Sequence, residues 1–558
     1  MRGPDPSLSL LENFEAAARR RPDLPALTFL DASLNPKVYT SEALFSRAAE
    51  VGARLRERAL PPKTPVGVLS ASQEVQVLHF LAALHCGLTP AVLTPPSRKL
   101  RRDYYMASLA HVLEACHFGA LLSDVDGVSA PCPTLAPWSC EGAPAAADEG
   151  VLPADGVFLQ FSSGTTGHKK GVLVRETAVL AQLSTYGEAI GLDAQDCIVS
   201  WLPLYHDMGF VAALNLPLAW GVPVVMLNPL DWVANPALYL QAVSRYRGTL
   251  GWHPNFAYAF MADRVPDAKL EGVSLGSLRG LVNCAEPVTR ESQERFQRRF
   301  SPLGLRPGVF WGCYAMAETT FALTHGTSER HEDILEARPD GPPSSLFGRP
   351  AVSVGRALPG VDLVVVDEEG RTLPEGHLGE LAVRSPFNAE GYFRNPEATA
   401  AAFRAGRYHT GDLGYRRGER YFVCGRKKDL LIIGGVNVYP EDLEQVAGGV
   451  EGVHPGRVVA FSSFDAETQT EAATVLAESD RAGGPEQRGV VIEIQQRLLA
   501  ALQIASFKVH LVPEGSLIKS SSGKIARAAS RDWWLARTSP LEGGASGPPR
   551  GDAPSRPR

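Results

Sequence analysis

The chain has 558 residues, which is too many for one hydrophobic core and enough for two to four domains. Hydrophobic residues make up 44% and charged residues 21%, a composition typical of a soluble globular protein. The net charge of −6 excludes a general electrostatic attraction to nucleic acid or to an anionic membrane.

The eight cysteines show neither a disulfide pattern nor a metal-binding pattern. C-x-x-C does not occur, and no cluster of Cys and His has the spacing of a zinc site. We therefore expect reduced, mostly buried thiols in a cytoplasmic protein. The first residues, MRGPDPSLSLLENF, lack the apolar stretch of a signal peptide. No run approaches the roughly 18 apolar residues of a transmembrane helix, so we expect no membrane span.

Helix and strand patterns alternate at the beginning of the chain. Residues 41–60 have apolar positions at helical spacing, and PVGVLS (65–70) is a short strand. A second helix is predicted over 74–87, where Gly87 is a plausible C-cap, and TPAVLTPP (89–96) is another strand. This alternation predicts a mostly parallel sheet that is covered by helices.

The rest of the chain divides at segments of irregular composition. The Pro-, Ala- and Gly-rich segment 130–150 predicts a surface linker, and GVFLQF (156–161) then begins a long α/β stretch. After a second irregular segment at 337–350, short strands and turns predict a small antiparallel subdomain. The pattern changes again after residue 435, where about 110 residues carry their own helices and strands up to Trp534.

A candidate phosphate loop, FSSGTTGHKKGV, occupies residues 161–172. Its two glycines allow tight turns that present backbone N–H groups to an anion, and hydroxyl and lysine side chains surround them. No register gives G-x-x-x-x-G-K-[ST], so the loop is not a Walker A loop. Taken alone, this composition fits a polar surface turn equally well.

Six further motifs follow the loop in a fixed order. They are WLPLYHDMG (201–209), NCAEPV (283–288), CYAMAETT (313–320), YHTGDLGY (408–415), GRKKDLLIIGGVNVYPEDLE (425–444) and IKSSSGKIAR (518–527). This ordered set resembles the acyl-adenylate-forming (AMP-binding) superfamily over roughly residues 9–534. In its details the set is most similar to fatty acyl-AMP ligases.

The resemblance implies an α/β fold with two domains. The large N-terminal domain, 1–425, would contain α/β subdomains and a small antiparallel β part. A hinge at 426–428 would lead to a small mobile α+β C-terminal lid domain, 429–538. The tail, 539–558, has the Pro-, Gly-, Ser- and Arg-rich composition of a disordered segment.

The resemblance also implies the reaction and its partners. A carboxylic acid, in this branch a fatty acid, would react with ATP in the presence of Mg²⁺ to give an acyl-adenylate and pyrophosphate. The acyl group would then pass to the phosphopantetheine thiol of a separate acyl carrier protein. Two alternatives use the same adenylate, with either coenzyme A or an amino acid as the acceptor. A non-catalytic binding module is disfavoured because the motif residues Glu318, Asp412 and Lys524 are intact.

Matching the family motifs to this sequence gives a set of nucleotide-binding residues. The loop would hold the leaving pyrophosphate, Tyr314 would stack on adenine, and Asp412 would bind the ribose hydroxyls with help from Arg426. The whole set comprises Ser162, Ser163, Gly164, Thr165, Thr166, Gly167, Lys170, Ala285, Glu286, Pro287, Tyr314, Met316, Ala317, Asp412 and Arg426. The family usually has Pro where Lys169 stands, so we expect the tip of this loop to differ in shape from the family's.

The resemblance assigns the catalytic roles to Lys524, His206 and Glu318. Lys524 would reach from the small domain to the carboxylate and the α-phosphate, and Glu318 would hold Mg²⁺ together with Thr166. His206 would lie near the acyl carboxylate as a donor or gate, although a lone histidine is more often structural. His206 and its neighbour Asp207 do not converge like a catalytic dyad. The hinge would pivot at Lys428.

The acyl pocket is the least specific part of the resemblance. The family would form it partly from residues 205–215 and 250–260, which here include Met208, Phe210, Trp252 and Phe256. These apolar residues fit a hydrophobic core equally well. The length of the acyl chain therefore stays open, and so does a cyclic or aromatic acid.

Overall fold

The computed structural model describes residues 3–96, 102–140, 155–161, 170–286, 288–326, 352–433, 436–465, 470–502, 507–519 and 524–538. The helices in these ranges are α1 (Leu10–Arg20), α2 (Ser41–Arg56), α3 (Gln73–His85), α4 (Arg102–Ala115), α5 (Glu176–Ala189), α6 (Leu216–Trp220), α7 (Pro229–Ala234), α8 (Ala237–Tyr246), α9 (Asn255–Arg264), α10 (Arg290–Phe300), α11 (Pro396–Ala402), α12 (Pro440–Gly448), α13 (Gln487–Leu502) and α14 (Arg527–Thr538).

The strands in the same ranges fall into several sheets. They are β1 (Pro25–Leu30), β2 (Pro36–Thr40), β3 (Pro65–Leu69), β4 (Thr89–Val92), β5 (Ala120–Ser123), β6 (Thr134–Leu135), β7 (Gly156–Phe161), β8 (Gly171–Arg175), β9 (Ile198–Ser200), β10 (Val224–Leu227), β11 (Leu250–His253), β12 (Gly280–Asn283), β13 (Phe310–Ala315), β14 (Ala322–His325), β15 (Arg356–Ala357), β16 (Asp362–Val366), β17 (Gly379–Arg384), β18 (Phe403–Arg404), β19 (Arg407–Arg417), β20 (Arg420–Arg426), β21 (Leu431–Ile433), β22 (Val436–Val438), β23 (Val458–Asp465), β24 (Thr470–Glu478) and β25 (Phe507–Val512).

The largest sheet joins a parallel half to an antiparallel half. Its order is β16-β17-β19-β20-β15-β14-β13-β12-β11-β9-β10-β1-β2, with β18 paired to β19. The strands from β13 to β1 run parallel to one another, and β2 pairs antiparallel with β1 at that edge. At the other end, β14 and the strands beyond it pair antiparallel. This mixed α/β architecture confirms the predicted fold class. The two halves meet at β13, which therefore presents side chains to both.

A second, parallel sheet lies between residues 65 and 135. Its order is β4-β3-β5-β6, and α2 and α3 pack against each other beside it. The predicted helices and strands between residues 41 and 96 are all present, and Gly87 follows α3 with φ of +68°, the left-handed conformation of a helix C-cap. The predicted linker is wrong for residues 130–140, because β6 pairs with β5 and Cys140 is buried.

The chain beyond residue 430 has its own sheet and its own apolar core. The sheet order is β23-β24-β25, and α12 and α13 pack together beside it. One buried cluster there draws only on residues between Leu431 and Leu511. The compositional change after residue 435 thus coincides with a separate core.

Two general expectations concern chemistry and membranes. All eight cysteines are free thiols, and five of them are buried, as the sequence predicts. Among the described residues, every helix is too short or too polar to cross a membrane.

Arg527 ties the start of α14 to the segment that follows the largest sheet. Its guanidinium lies 2.7 Å from Asp429, 2.9 Å from Glu441 and 3.0 Å from Glu444. Burial raises the pKa of the Glu444 carboxyl, although the charge of Arg527 opposes that effect. Three carboxylates therefore share one cation, and their mutual repulsion is held in check by Arg527.

Arg527→Met is expected to loosen α12 and α14, because it leaves the three carboxylates without their cation. We expect a loss of about 2 to 4 kcal/mol in local opening free energy at pH 8. The loss should be smaller at pH 5, since the Glu444 carboxyl takes up a proton as the pH falls through its raised pKa. Hydrogen–deuterium exchange of peptides from α12 and α14 measures this. Arg531→Met, on the exposed face of α14, is the control; equal loosening by both variants would contradict the role of Arg527.

Candidate active site

Three of the sequence motifs, and the segment beginning at Pro254, follow parallel strands of the largest sheet. Residues 201–209 follow β9, the segment beginning at Pro254 follows β11, residues 284–288 follow β12, and the turn at 317–319 follows β13. Because parallel strands end at the same edge of a sheet, the topology brings these segments together. Ligands of open α/β sheets bind at that edge, and it is the natural place for a candidate active site.

Tyr314, Asp412 and Arg426 form a hydrogen-bonded cluster where the two halves of the sheet meet. The Tyr314 hydroxyl donates to one Asp412 oxygen at 2.7 Å, and Arg426 Nε lies 3.1 Å from the other. Asp412 and Arg426 are direct partners in the β19–β20 ladder. The Asp412 charge raises the pKa of the Arg426 guanidinium, and burial raises that of Tyr314 well above its usual range. The cluster thus presents an oriented acceptor beside a cation.

Glu318 lies buried on a short 3₁₀ turn after β13, Ala317–Thr319. Its Oε1 accepts a hydrogen bond of 2.9 Å from the Tyr392 hydroxyl, and its carbonyl accepts one of 2.9 Å from Ala389 N–H. The turn ends at Thr320, whose φ is +64° and whose hydroxyl donates to the Phe387 carbonyl at 2.9 Å. Hydrogen bonds on both sides therefore fix the direction of the Glu318 carboxylate.

Lys524 reaches across from the C-terminal part of the chain to the turn after β12. Its Nζ donates to the main-chain oxygen of Ala285, a residue with φ of +71°. The next residue, Glu286, uses its carboxylate to accept a hydrogen bond of 3.0 Å from Phe256 N–H, in the first turn of α9. The Glu286 carboxylate therefore satisfies a free N–H group at the N-terminus of α9.

Asp207 interacts electrostatically with Glu318 and Lys524, a position that the sequence analysis did not predict for it. Its Oδ1 accepts a hydrogen bond of 2.9 Å from Met208 N–H at the start of a π-helix, Met208–Asn215. Burial and the nearby charge of Glu318 raise the pKa of Asp207 to about 6, while the charge of Lys524 acts in the opposite direction. The charge on Asp207 therefore depends on the charges of Glu318 and Lys524. The signal that could have found it is its position after a parallel strand.

Comparison with known proteins identifies the family. The model for AMP-binding enzymes matches residues 14–393, well over half of the chain. The chain belongs to the AMP-binding enzyme family. As a member, it is an adenylate-forming ligase, and ATP is its nucleotide substrate.

Similar proteins extend over nearly the full length of this AMP-binding enzyme. A Caulobacter vibrioides protein with the provisional description acyl-CoA synthetase is 32% identical over 503 residues, 85% of this chain and 86% of that protein. A long-chain-fatty-acid–AMP ligase of Mycobacterium marinum is 30% identical over 559 residues, 92% of this chain and 94% of that protein. One solved structure, from work on fatty acyl-adenylate ligases of E. coli and L. pneumophila, is 26% identical with a TM-score of 0.81, covering 95% of this chain and 97% of that chain.

Some residues of the AMP-binding enzyme that the motifs single out lie elsewhere or cannot be placed. Ser162, Ser163, Gly164, Thr165, Thr166, Gly167 and Pro287 lie outside the described residues. Ala317 is buried in a small apolar cluster with Val172 and Tyr392, and Met316 packs against the core of the antiparallel half. His206 is half-buried, with its ring against the ring of Tyr205 at 4.9 Å between centroids.

A cavity of about 1870 Å³ connects the cluster at the sheet edge with the C-terminal part of the enzyme. Its lining includes Tyr314, Asp412, Arg426, Lys428 and Lys524. Partial desolvation, together with the charge of Arg426, lowers the pKa of the Lys428 ammonium, and the charge of Lys170 contributes to the same effect. Cations from two separate segments, Arg426 with Lys428 and Lys524, thus line one cleft, which suits a polyanionic ligand.

Aromatic side chains form another part of the cavity lining, here called the aromatic wall. They are Tyr205, Trp232, Phe256 and Phe260, and the ring of Trp232 stacks on Trp201 with 3.5 Å between centroids. The expectation that Met208, Phe210 and Trp252 line an acyl pocket is wrong for this cavity. All three are buried in the core, where Phe210 packs on Phe80 and Trp252 Nε1 donates to the Tyr186 hydroxyl. Of the four predicted residues, Phe256 alone lines the cavity.

Proposed function

We propose that this enzyme is a fatty acyl-AMP ligase: it converts a fatty acid and ATP to an acyl-adenylate and pyrophosphate, then passes the acyl group to an acyl carrier protein. The observation that carries the proposal is the placement of Lys524, from the last motif, at the turn after β12 within the cavity that Tyr314 and Asp412 also line. The name of the M. marinum relative and the aromatic wall support a fatty acid as the substrate.

The nucleotide would lie along the sheet edge. Tyr314 is proposed to pack against adenine, with Ala285, Glu286 and Pro287 along the base edge and Met316 and Ala317 behind it. The Asp412 carboxylate would accept hydrogen bonds from the ribose diol, because Tyr314 and Arg426 already hold it in one orientation. Since the Glu286 carboxylate is engaged with α9, its main chain is the part available to the base.

The phosphates would extend toward the β7–β8 hairpin. The residues of the intervening loop, Ser162 to Gly167, are proposed to bind the β- and γ-phosphates together with Lys170. The cations Arg426 and Lys428 line the cleft. This arrangement opposes the repulsion between the acid's carboxylate and the triphosphate, which is the main barrier to bringing them together.

A divalent cation fits the residues that the structure places here. Glu318 offers a buried carboxylate whose direction is fixed by Tyr392, and Mg²⁺ prefers oxygen ligands of this kind. We propose that Glu318, with Thr166, holds Mg²⁺. When bound, the ion would neutralise part of the phosphate charge.

The chemical step transfers the adenylyl group to the acid. A carboxylate oxygen forms a bond to the α-phosphorus while the bond from that phosphorus to the bridging oxygen breaks, and pyrophosphate leaves with the electron pair. Lys524 would stabilise the negative charge that accumulates on the α-phosphate oxygens. His206 would hold the acid's carboxylate by a hydrogen bond.

Transfer would follow a rotation of the small domain. We propose that residues 426–428 are the hinge between a large domain, 1–425, and a lid domain, 429–538. The separate core beyond residue 430 supports this division. The predicted tail, 539–558, lies outside the described residues. Rotation about Lys428 would withdraw Lys524 and admit the thiol of the acceptor. We place the enzyme in the cytoplasm, in keeping with its free thiols.

Pyrophosphate exchange across a panel of carboxylic acids tests the first half-reaction, and it should be largest for fatty acids. Holo acyl carrier protein, coenzyme A and amino acids are then offered separately to the preformed adenylate. Carrier protein is expected to be acylated fastest. Failure of every acid to support exchange, or release of ADP, would overturn the proposed activity. Faster transfer to coenzyme A or to an amine would overturn the acceptor alone.

A further inference from the structure

Tyr392 contacts two groups that the proposed function places on the phosphates. Its hydroxyl donates to Glu318 Oε1 at 2.9 Å. The Lys170 ammonium lies over the face of the same ring, 4.5 Å from its centroid. Tyr392 is 8% exposed, so both contacts form in a largely desolvated place, where each is stronger than at the surface.

The backbone holds Tyr392 beside the hairpin that carries the phosphate loop. Tyr392 and Val172 form an isolated antiparallel bridge, and Phe393 N–H donates to the Gly171 carbonyl at 2.7 Å. The Thr399 hydroxyl accepts from Tyr392 N–H at 2.9 Å, and the ring meets Phe403 edge-on at 6.0 Å. The position of the ring is therefore set by the fold and does not depend on a bound nucleotide.

The protonation of Tyr392 fixes the direction of its hydrogen bond. A tyrosine hydroxyl is protonated at neutral pH, so it donates this hydrogen bond and the Glu318 carboxylate accepts it. The face of the ring restricts the side chain of Lys170, which would otherwise have many conformers in water.

We propose that Tyr392 is a positioning residue, which fixes Glu318 by its hydroxyl and Lys170 by its ring so that both face the same phosphates. The inference rests on the proposed roles of Glu318 and Lys170. One side chain thus has two separate effects. Its hydroxyl orients the Glu318 carboxylate, which is proposed to hold the metal, and its ring orients the Lys170 ammonium.

Two substitutions separate the effects. Tyr392→Phe removes the hydroxyl and keeps the ring, whereas Tyr392→Leu removes both. Binding of ATP is measured by calorimetry at increasing Mg²⁺ concentrations with no acid present, so that no reaction occurs. Binding of ATP is also measured in EDTA, which removes Mg²⁺, so that only the contribution of the protein's own cationic side chains remains. Tyr415→Phe is the matched control, because its hydroxyl is buried with no hydrogen-bond partner among the described residues.

Mg²⁺ should strengthen the binding of ATP. In Tyr392→Phe, the Mg²⁺ concentration needed for half of that strengthening should be about 10-fold higher, and the binding of ATP in EDTA should be unchanged. Tyr392→Leu should show the same shift and also weaken binding in EDTA by about 3- to 10-fold. Tyr415→Phe should match the wild type in both. If Tyr392→Leu does not fold, Tyr392→Phe still decides the role of the hydroxyl.

Wild-type Mg²⁺ dependence in Tyr392→Phe would overturn the inference. Equal weakening in EDTA by both variants would overturn the separate role of the ring. These failures differ from failure of the proposed function, because that would appear as absence of pyrophosphate exchange in the wild-type enzyme with every acid.

Discussion

Replacing Lys524 with alanine is expected to lower the rate of acyl-adenylate formation by about 100- to 1000-fold, while the protein stays folded. The structure places this ammonium at Ala285, across the cavity from its own segment of the chain. A preorganised cation that meets developing negative charge is worth that much in comparable sites. Acid-dependent pyrophosphate exchange measures the loss.

Lys508→Ala is the matched control for Lys524→Ala. Lys508 lies on β25, in the same part of the chain, and does not line the cavity. It should exchange pyrophosphate at the wild-type rate. The proposed role of Lys524 fails if its alanine variant also exchanges normally, or if both variants lose activity to the same extent.

Lys428→Pro is expected to separate the two half-reactions. Proline restricts rotation at the residue we propose as the pivot, so the lid domain would stay in the arrangement where Lys524 faces Ala285. Acyl transfer to carrier protein should fall by at least about 100-fold, and pyrophosphate exchange by no more than about threefold, since only transfer needs the rotation. Single-turnover assays that follow adenylate and thioester separately measure both.

Lys428→Ala distinguishes the backbone from the charge. It removes the ammonium that lies in the cleft with Arg426, but leaves rotation free. This variant should transfer acyl groups at close to the wild-type rate and show a modestly higher KM for ATP. Equal loss of both half-reactions in Lys428→Pro, or slow transfer in Lys428→Ala, would contradict the hinge.

The sequence predicts this fold well wherever the local sequence of a segment determines its secondary structure. The strand at 156–161, the helices α2 and α3 and the cap at Gly87 follow from periodicity and from local chain conformation. The predicted linker fails at 134–135 for the opposite reason. A two-residue strand has too few side chains for a pattern, and pairing with β5 decides its structure.

The same distinction between local sequence and long-range contacts applies to the candidate site. The motifs locate Tyr314, Glu318, Asp412 and Lys524, and the topology of the sheet brings their segments to one cavity or its border. Contacts between distant segments escape sequence reasoning: Tyr392 meets Glu318 across 74 residues, and Arg527 meets Asp429 across 98. Apolar residues are ambiguous in another way, because Trp252 and Trp232 look alike in sequence. The first is core, whereas the second also lines the cavity.

The oxygen on which Lys524 docks belongs to the main chain, so every residue type at position 285 would supply it. Few residue types would aim it correctly, because the φ of +71° at Ala285 is costly for a residue with a Cβ and worst for a β-branched one. The requirement at this position therefore concerns the backbone conformation rather than the chemistry of the side chain. Glycine, alanine and asparagine are compatible with it, whereas valine, isoleucine and threonine are not. A position that looks unremarkable by residue identity thus constrains the geometry that the lysine needs.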